Sequence, residues 1–124
     1  MKVFDSSIWL AFFKGEPSAK QFFEVLENKD DIIVPTIVIF EVYKKLWKSF
    51  SKEAAIEAFA YLKMCQVREM SDAIGILAAY HGIKYQLPMA DSIVFATARC
   101  FEAEFWTMDS DFAHIEGVKY FSRK

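Results

Sequence analysis

Short apolar runs of strand type alternate along the chain with longer stretches of helical period, and this alternation narrows the fold more than any other feature. The strand candidates are 2–5, 32–34, 65–68, 105–107 and 118–121. Between the first two, Ser6 or Ser7 caps a helix carrying Ile8, Trp9, Leu10, Phe12 and Phe13, which Gly15 stops. Pro17 opens a second helix with Phe22, Phe23, Val25 and Leu26 as its apolar stripe. Pro35 restarts the chain as a helix to about Phe50, apolar almost all round until Lys44, Lys45 and Lys48, which predicts a mostly covered element. Ser51 caps the next helix, and Ser71 caps one that runs to His81 and is ended by Gly82. After Pro88 a helix is expected from Asp91 to about Ala103, followed beyond the fourth strand by a turn-like stretch from Met108 to His114. Strands this short and apolar, each leading into a helix, form a parallel sheet covered on both faces. The expected class is α/β: three layers, with a short mostly parallel sheet flanked by helices.

A chain of 124 residues suits one domain, and 54% apolar with 17% aromatic residues is the composition of a packed globule, not of a disordered chain. Cys65 and Cys100 have neither CxxC spacing nor a nearby His at metal-site intervals and are expected to be reduced core thiols. The apolar N-terminus is broken by Asp5 and runs into Gly15, Glu16 and Pro17 without a cleavage site, so it is assigned to the fold. Charges at Glu41, Asp72, Asp91 and Arg99 interrupt every long apolar stretch, and the expectation is a cytoplasmic protein with no membrane span. A net charge of −2 excludes a protein that coats nucleic acid by charge alone. It leaves room for local binding, because setting aside four candidate ligand acids turns the balance positive and Lys44, Lys45 and Lys48 cluster after one of them.

In a parallel sheet the working site lies at the carboxyl ends of the strands. Asp5 and Asp109 directly follow strand candidates, while Glu41 and Asp91 lie near the starts of helices that strand ends feed. Each has an ordinary explanation: Asp5 and Asp91 as helix-start residues, Asp109 or Asp111 as an Asx-turn. Glu41 is harder to explain away, because it stands inside the apolar run from Ile37 to Val42, where an unpaired carboxylate costs several kcal/mol. Its partner is either Lys45, in an exposed pair worth about 0.3 to 0.5 kcal/mol, or a divalent metal. Oxygen-only ligands favour hard cations such as Mg²⁺ or Mn²⁺, and converging carboxylates around such ions suggest phosphoryl transfer. His81 and His114 are not needed for this chemistry and are read as a helix-end and a loop residue.

At these positions the chain resembles PIN-domain nucleases of the VapC toxin type, over nearly its whole length. Val3-Phe4-Asp5-Ser6-Ser7 looks like the opening strand with the first acid, and Val34-Pro35 to Phe40-Glu41 like the segment with the second. Pro88-Met89-Ala90-Asp91-Ser92-Ile93-Val94 is similar to the stretch bearing the third, and Thr107-Met108-Asp109-Ser110-Asp111-Phe112 to the closing Thr-x-Asp-x-Asp-Phe element. The resemblance implies a Mg²⁺- or Mn²⁺-dependent endoribonuclease, dimeric and held inactive by a VapB-type antitoxin. It makes Asp5, Glu41, Asp91 and Asp109 the acidic quartet, with Ser7 and Thr107 as hydrogen-bonding support and Asp111 as a further ligand ranked below Asp109.

Two rivals of the same architecture lack their marks here: a haloacid-dehalogenase-like phosphatase resembles Asp-x-Asp where this chain has Asp5-Ser6-Ser7, and a phosphoacceptor receiver needs an adjacent acidic pair before its first helix. A rival of another class is a catalytically silent PIN-like module that binds RNA or a partner. Retention of four mutually repelling carboxylates argues against it. Lys44, Lys45 and Lys48 either steer a phosphate backbone or form a solvated helix face. Phe12, Phe13, Tyr43, Trp47 and Phe50 are expected in the core, the alternative being a dimer face or an antitoxin groove.

Overall fold

The computed structural model describes residues 1–123. Its strands are β1 (Lys2–Phe4), β2 (Ile32–Pro35), β3 (Gln66–Arg68), β4 (Glu104–Thr107) and β5 (Lys119–Tyr120), in one sheet of order β3-β2-β1-β4-β5. All four pairings are parallel, including the two-residue edge β5. The helices are α1 (Ser6–Phe13), α2 (Phe23–Leu26), α3 (Thr36–Ser49), α4 (Lys52–Leu62), α5 (Asp72–Tyr85) and α6 (Met89–Cys100).

Side-chain alternation along β4 shows how both sheet faces are buried. Phe105 packs on Phe95 of α6 and on Phe112, with ring centroids 5.3 and 4.8 Å apart. Its neighbour Trp106 points to the opposite face, where it meets Phe4, Phe22 and Phe121. Phe4 and Trp106 are register partners across β1 and β4, so their edge-on contact at 5.5 Å also fixes the strand pairing.

Several local expectations change. The helix expected from Pro17 is a 3₁₀ segment, Pro17–Phe22, followed by the single turn of α2. Gly82 does not end α5, which continues to Tyr85 and stops where Gln86 adopts a left-handed conformation at φ 55°. Gly82 instead faces α6: a Cβ there would lie 3.5 Å from the Cβ of Ser92, so the position has room for a methyl group and little more. α6 begins two residues before Asp91, behind Pro88, and ends at Cys100. Helix α3 is not mostly covered. Phe40 is 57% exposed, Trp47 52% and, just past its end, Phe50 61%, so Trp47 and Phe50 do not belong to the core. Phe12, Phe13 and Tyr43 are partly buried against it. Cys65 is buried as expected, but Cys100 is exposed. His81 is not at a helix end: it is buried inside α5, between Tyr85 and Phe95. Among the described residues no helix is long and apolar enough to cross a membrane.

Candidate active site

Successive connections run outward from β1 to β2 and β3 on one side and reach β4 and β5 on the other, so the chain changes direction between β1 and β4. At such a switch point the strand ends diverge and leave a crevice at their carboxyl edge. Asp5 lies there as the first residue past β1, with its backbone N–H still donating to the Trp106 carbonyl at 3.1 Å. Asp109 follows β4 beside it.

Asp5, and not Ser6 or Ser7, is the N-cap of α1, its side chain accepting the Ser7 backbone N–H at 3.2 Å. The Ser7 hydroxyl donates to the same oxygen, Oδ1, while Thr107 Oγ1 donates to Oδ2 at 2.6 Å. Both hydroxyls are themselves held: Ser7 Oγ accepts the Met108 N–H at 3.0 Å, and Thr107 Oγ1 accepts the Asp109 N–H at 2.9 Å. A hydroxyl has one proton to give, so each spends it on Asp5 while a backbone amide fixes its position. Thr107 thereby ties the first and last acids together. Asp109 in turn accepts the Asp111 N–H at 2.9 Å as the cap of the 3₁₀ turn Ser110–Phe112, so the Asx-turn reading of this segment applies to Asp109.

The electrostatics join the remaining acids to this pair. Asp5 is 4% exposed, and burial pushes its carboxyl up to about 6 against the pull of the two hydroxyl bonds, with the charges of Asp109 and Asp91 adding to the rise. Glu41, on the second turn of α3, is raised to about 7 by burial first and then by Asp91 and Asp5. Asp91, on the first turn of α6, is raised to about 6 by burial and then by Asp109 and Asp111. No ion pair involves any of these acids among the described residues; Glu41 is not bridged to Lys45. Nor does any group of three or more His, Cys, Asp or Glu side chains among them stand close enough to hold an ion as placed. The donor set nonetheless fits a hard cation that retains part of its water: oxygen donors alone, negative charge without a counter-ion, and one carboxylate already oriented on both oxygens.

The PIN-domain family model matches residues 2–118. The chain belongs to the PIN-domain family. It is similar to a toxin–antitoxin complex from Klebsiella pneumoniae at 26% identity, with a TM-score of 0.81 over 100% of this chain and 98% of that one. The PIN fold is also shared with the sarcin-ricin loop cleaving toxin VapC20 of Mycobacterium tuberculosis (17% identity, TM-score 0.80, 96% and 98% covered). A third similar structure is VapBC-1 of nontypeable Haemophilus influenzae (17% identity, TM-score 0.75, 98% and 97% covered). Among curated proteins no sequence matches. In this PIN domain, sequence reasoning missed Ser6, which joins Glu41 and the lysines in a cleft, and it missed a second cleft beside Asp111 formed by Tyr85, Gln86 and His114. No motif signals either, because both depend on how two distant connections meet.

Proposed function

We propose that this PIN domain is a metal-dependent endoribonuclease, the toxin of a VapBC-type pair, with 1–124 acting as one nuclease domain in the cytoplasm. The observation that carries the reading is Asp5: a buried carboxylate held on both oxygens, surrounded by the charges of Asp91, Asp109 and Glu41 and paired with no cation among the described residues. Asp5, Glu41, Asp91 and Asp109 would hold Mg²⁺ or Mn²⁺, with Asp111 at the margin. Such an ion, when bound, supplies a water of lowered pKa and neutralises charge on the attacked phosphodiester.

The chain's own contribution is placement. Ser7 and Thr107 orient the Asp5 oxygens and keep them fixed as charge builds up around them. Lys44, Lys45 and Lys48 line a cleft of about 610 Å³ together with Ser6 and Glu41, which supports the phosphate-steering reading of this basic cluster.

Inhibition and assembly have separate surfaces. Ile39, Phe40, Tyr43 and Trp47 form an apolar groove of about 660 Å³ along α3 with Lys44 and Lys48 in its lining, a seat suited to the apolar and acidic side chains of a VapB-type antitoxin. A partner lying there covers two of the lysines that also flank Glu41. On α5, Ile76 is 74%, Tyr80 55% and Ile83 83% exposed at helical spacing, with Met89 of α6 beyond them, and this stripe supports a homodimer.

Cleavage of a labelled pool of single-stranded and hairpin RNA tests the proposal. Cutting is expected with Mg²⁺ or Mn²⁺ and is expected to cease with EDTA or in Asp5→Asn. Tight RNA binding without cutting by the wild type would instead establish the silent binding module.

A further inference from the structure

The cleft beside Asp111 has no role in the reading above. It encloses about 470 Å³ between the α5–α6 connection, which contributes Tyr85, Gln86 and Pro88, and the turn after β4, which contributes Ser110, Asp111 and His114. Both walls belong to site-bearing segments. Pro88 is the residue from which α6 departs, one turn before Asp91, and Asp111 follows Asp109 by two residues and adds to the field on Asp91. A molecule in this cleft is therefore next to the acidic cluster, on the Asp91–Asp109 side.

Its lining has the chemistry of a base pocket. Tyr85 and His114 present rings 6.4 Å apart at 68°, Tyr85 half-buried with one face stacked on His81 and His114 exposed, and an unstacked base gains affinity by stacking on such open aromatic faces. Lys84, next to Tyr85 in the chain, holds its ammonium over the Tyr85 ring at 5.2 Å from the centroid and so brings positive charge near the cleft. The side chains of Gln86, Asp111 and His114 make no hydrogen bonds within the protein among the described residues, so their donors and acceptors are free for a ligand. Gln86 also holds a left-handed conformation at φ 55°, which costs a non-glycine residue, where it ends α5 and lines the cleft.

We propose that this cleft seats one unstacked nucleobase of the RNA, adjacent to the phosphodiester that is cut, and that it selects bases carrying an exocyclic amine. The Asp111 carboxylate accepts hydrogen bonds only; it pairs with the amine of guanine, cytosine or adenine, whereas uracil offers it no amine and only an N3–H flanked by two carbonyls that repel it. The Gln86 amide supplies one donor and one acceptor beside it. This inference rests on the RNA-cutting reading for its substrate, but its test does not.

The first readout is fluorescence of 2-aminopurine, a base with an exocyclic amine, in a short single-stranded oligoribonucleotide titrated in EDTA with wild type, His114→Ala and Gln86→Gly. Both substitutions are at exposed positions, and glycine suits the Gln86 backbone. Quenching by the wild type, with affinity falling roughly 5- to 100-fold on loss of a stacking or hydrogen-bonding partner, is expected. The second readout is the base preference around each cut in a randomised RNA: discrimination against uracil at one flanking position, flattened in both variants, with KM raised more than kcat is lowered. Cutting by the wild type with unchanged preference and unchanged quenching in both variants overturns the pocket and leaves the nuclease intact. Quenching that depends on His114 and Gln86 without any cutting keeps the pocket and overturns the nuclease.

Discussion

Replacing Asp5 with Asn tests whether the site stores charge that only a cation relieves. Burial raises the Asp5 carboxyl from 3.8 to about 6, so the folded protein binds this proton more tightly than the unfolded chain does. Stability from this group is therefore fully present below about pH 4 and is lost as pH rises through about 6. At about 1.4 kcal/mol per pKa unit the full shift is worth roughly 3 kcal/mol, of which the metal-free wild type loses about 2.5 kcal/mol from Asp5 between pH 4 and 7.5, the unfolded carboxyl being already partly ionised at pH 4. Asn has nearly the same shape, accepts one of the two hydroxyl bonds and carries no charge, so the variant lacks this loss. The assay is urea unfolding in EDTA at several pH values for both proteins. The stability difference, variant minus wild type, should move by about 2.5 kcal/mol in the variant's favour from pH 4 to 7.5, with most of the change below pH 6. Added Mn²⁺ should then stabilise the wild type more than the variant. A difference that stays flat across this range means that Asp5 is ionised without strain and that the surrounding acids impose nothing on it.

Thr107→Val removes the donor to Asp5 and the acceptor for the Asp109 amide from a fully buried site; a loss of about 2 to 3 kcal/mol in urea unfolding and a large fall in cleavage are expected, both largely restored by Thr107→Ser. His81 is buried with Nδ1 lacking a partner among the described residues, and burial, then Arg99 and Lys84, hold its pKa down. Its contribution runs opposite to that of Asp5, being lost as pH falls below about 6.5, so His81→Phe should flatten the acid side of the wild-type stability curve. Gly82→Ala places a methyl group in ordinary contact with Ser92 and should gain about 0.5 to 1 kcal/mol from helix propensity, whereas Gly82→Leu should destabilise the α5–α6 packing in the same melts.

The sheet was legible because its central strands are short and apolar and alternate with helices, a pattern that leaves little but a parallel sheet covered on both sides, whereas the edge strands β3 and β5 carry Gln66, Arg68 and Lys119 and signal it only weakly. Strand order brought Asp5 and Asp109 to one sheet edge, and the family resemblance added Ser7 and Thr107 as their support; in the structure Ser7 and Thr107 both donate to Asp5, and Thr107 accepts from Asp109. Local signals misled where tertiary contact decides. Gly82 carries the usual stop signal, yet α6 packs against that face and the helix continues. The aromatics of α3 look like core residues because period alone cannot separate a face that meets the sheet from one left open, and Phe40 and Trp47 lie on the open one. The Tyr85–His114 cleft had no signal, since its walls are 22 or more residues apart in sequence and meet only once β4 is in place.

The most direct measurement is Mn²⁺ binding followed by electron paramagnetic resonance, on the same wild-type sample that is assayed for RNA cleavage, alongside Asp5→Asn, Glu41→Gln, Asp91→Asn and Asp109→Asn. The account predicts bound Mn²⁺ in the wild type, weaker binding in each variant, and cleavage that tracks occupancy. Mn²⁺ affinity unchanged by Asp5→Asn and Asp91→Asn, or RNA cleavage that persists in their absence, would contradict it.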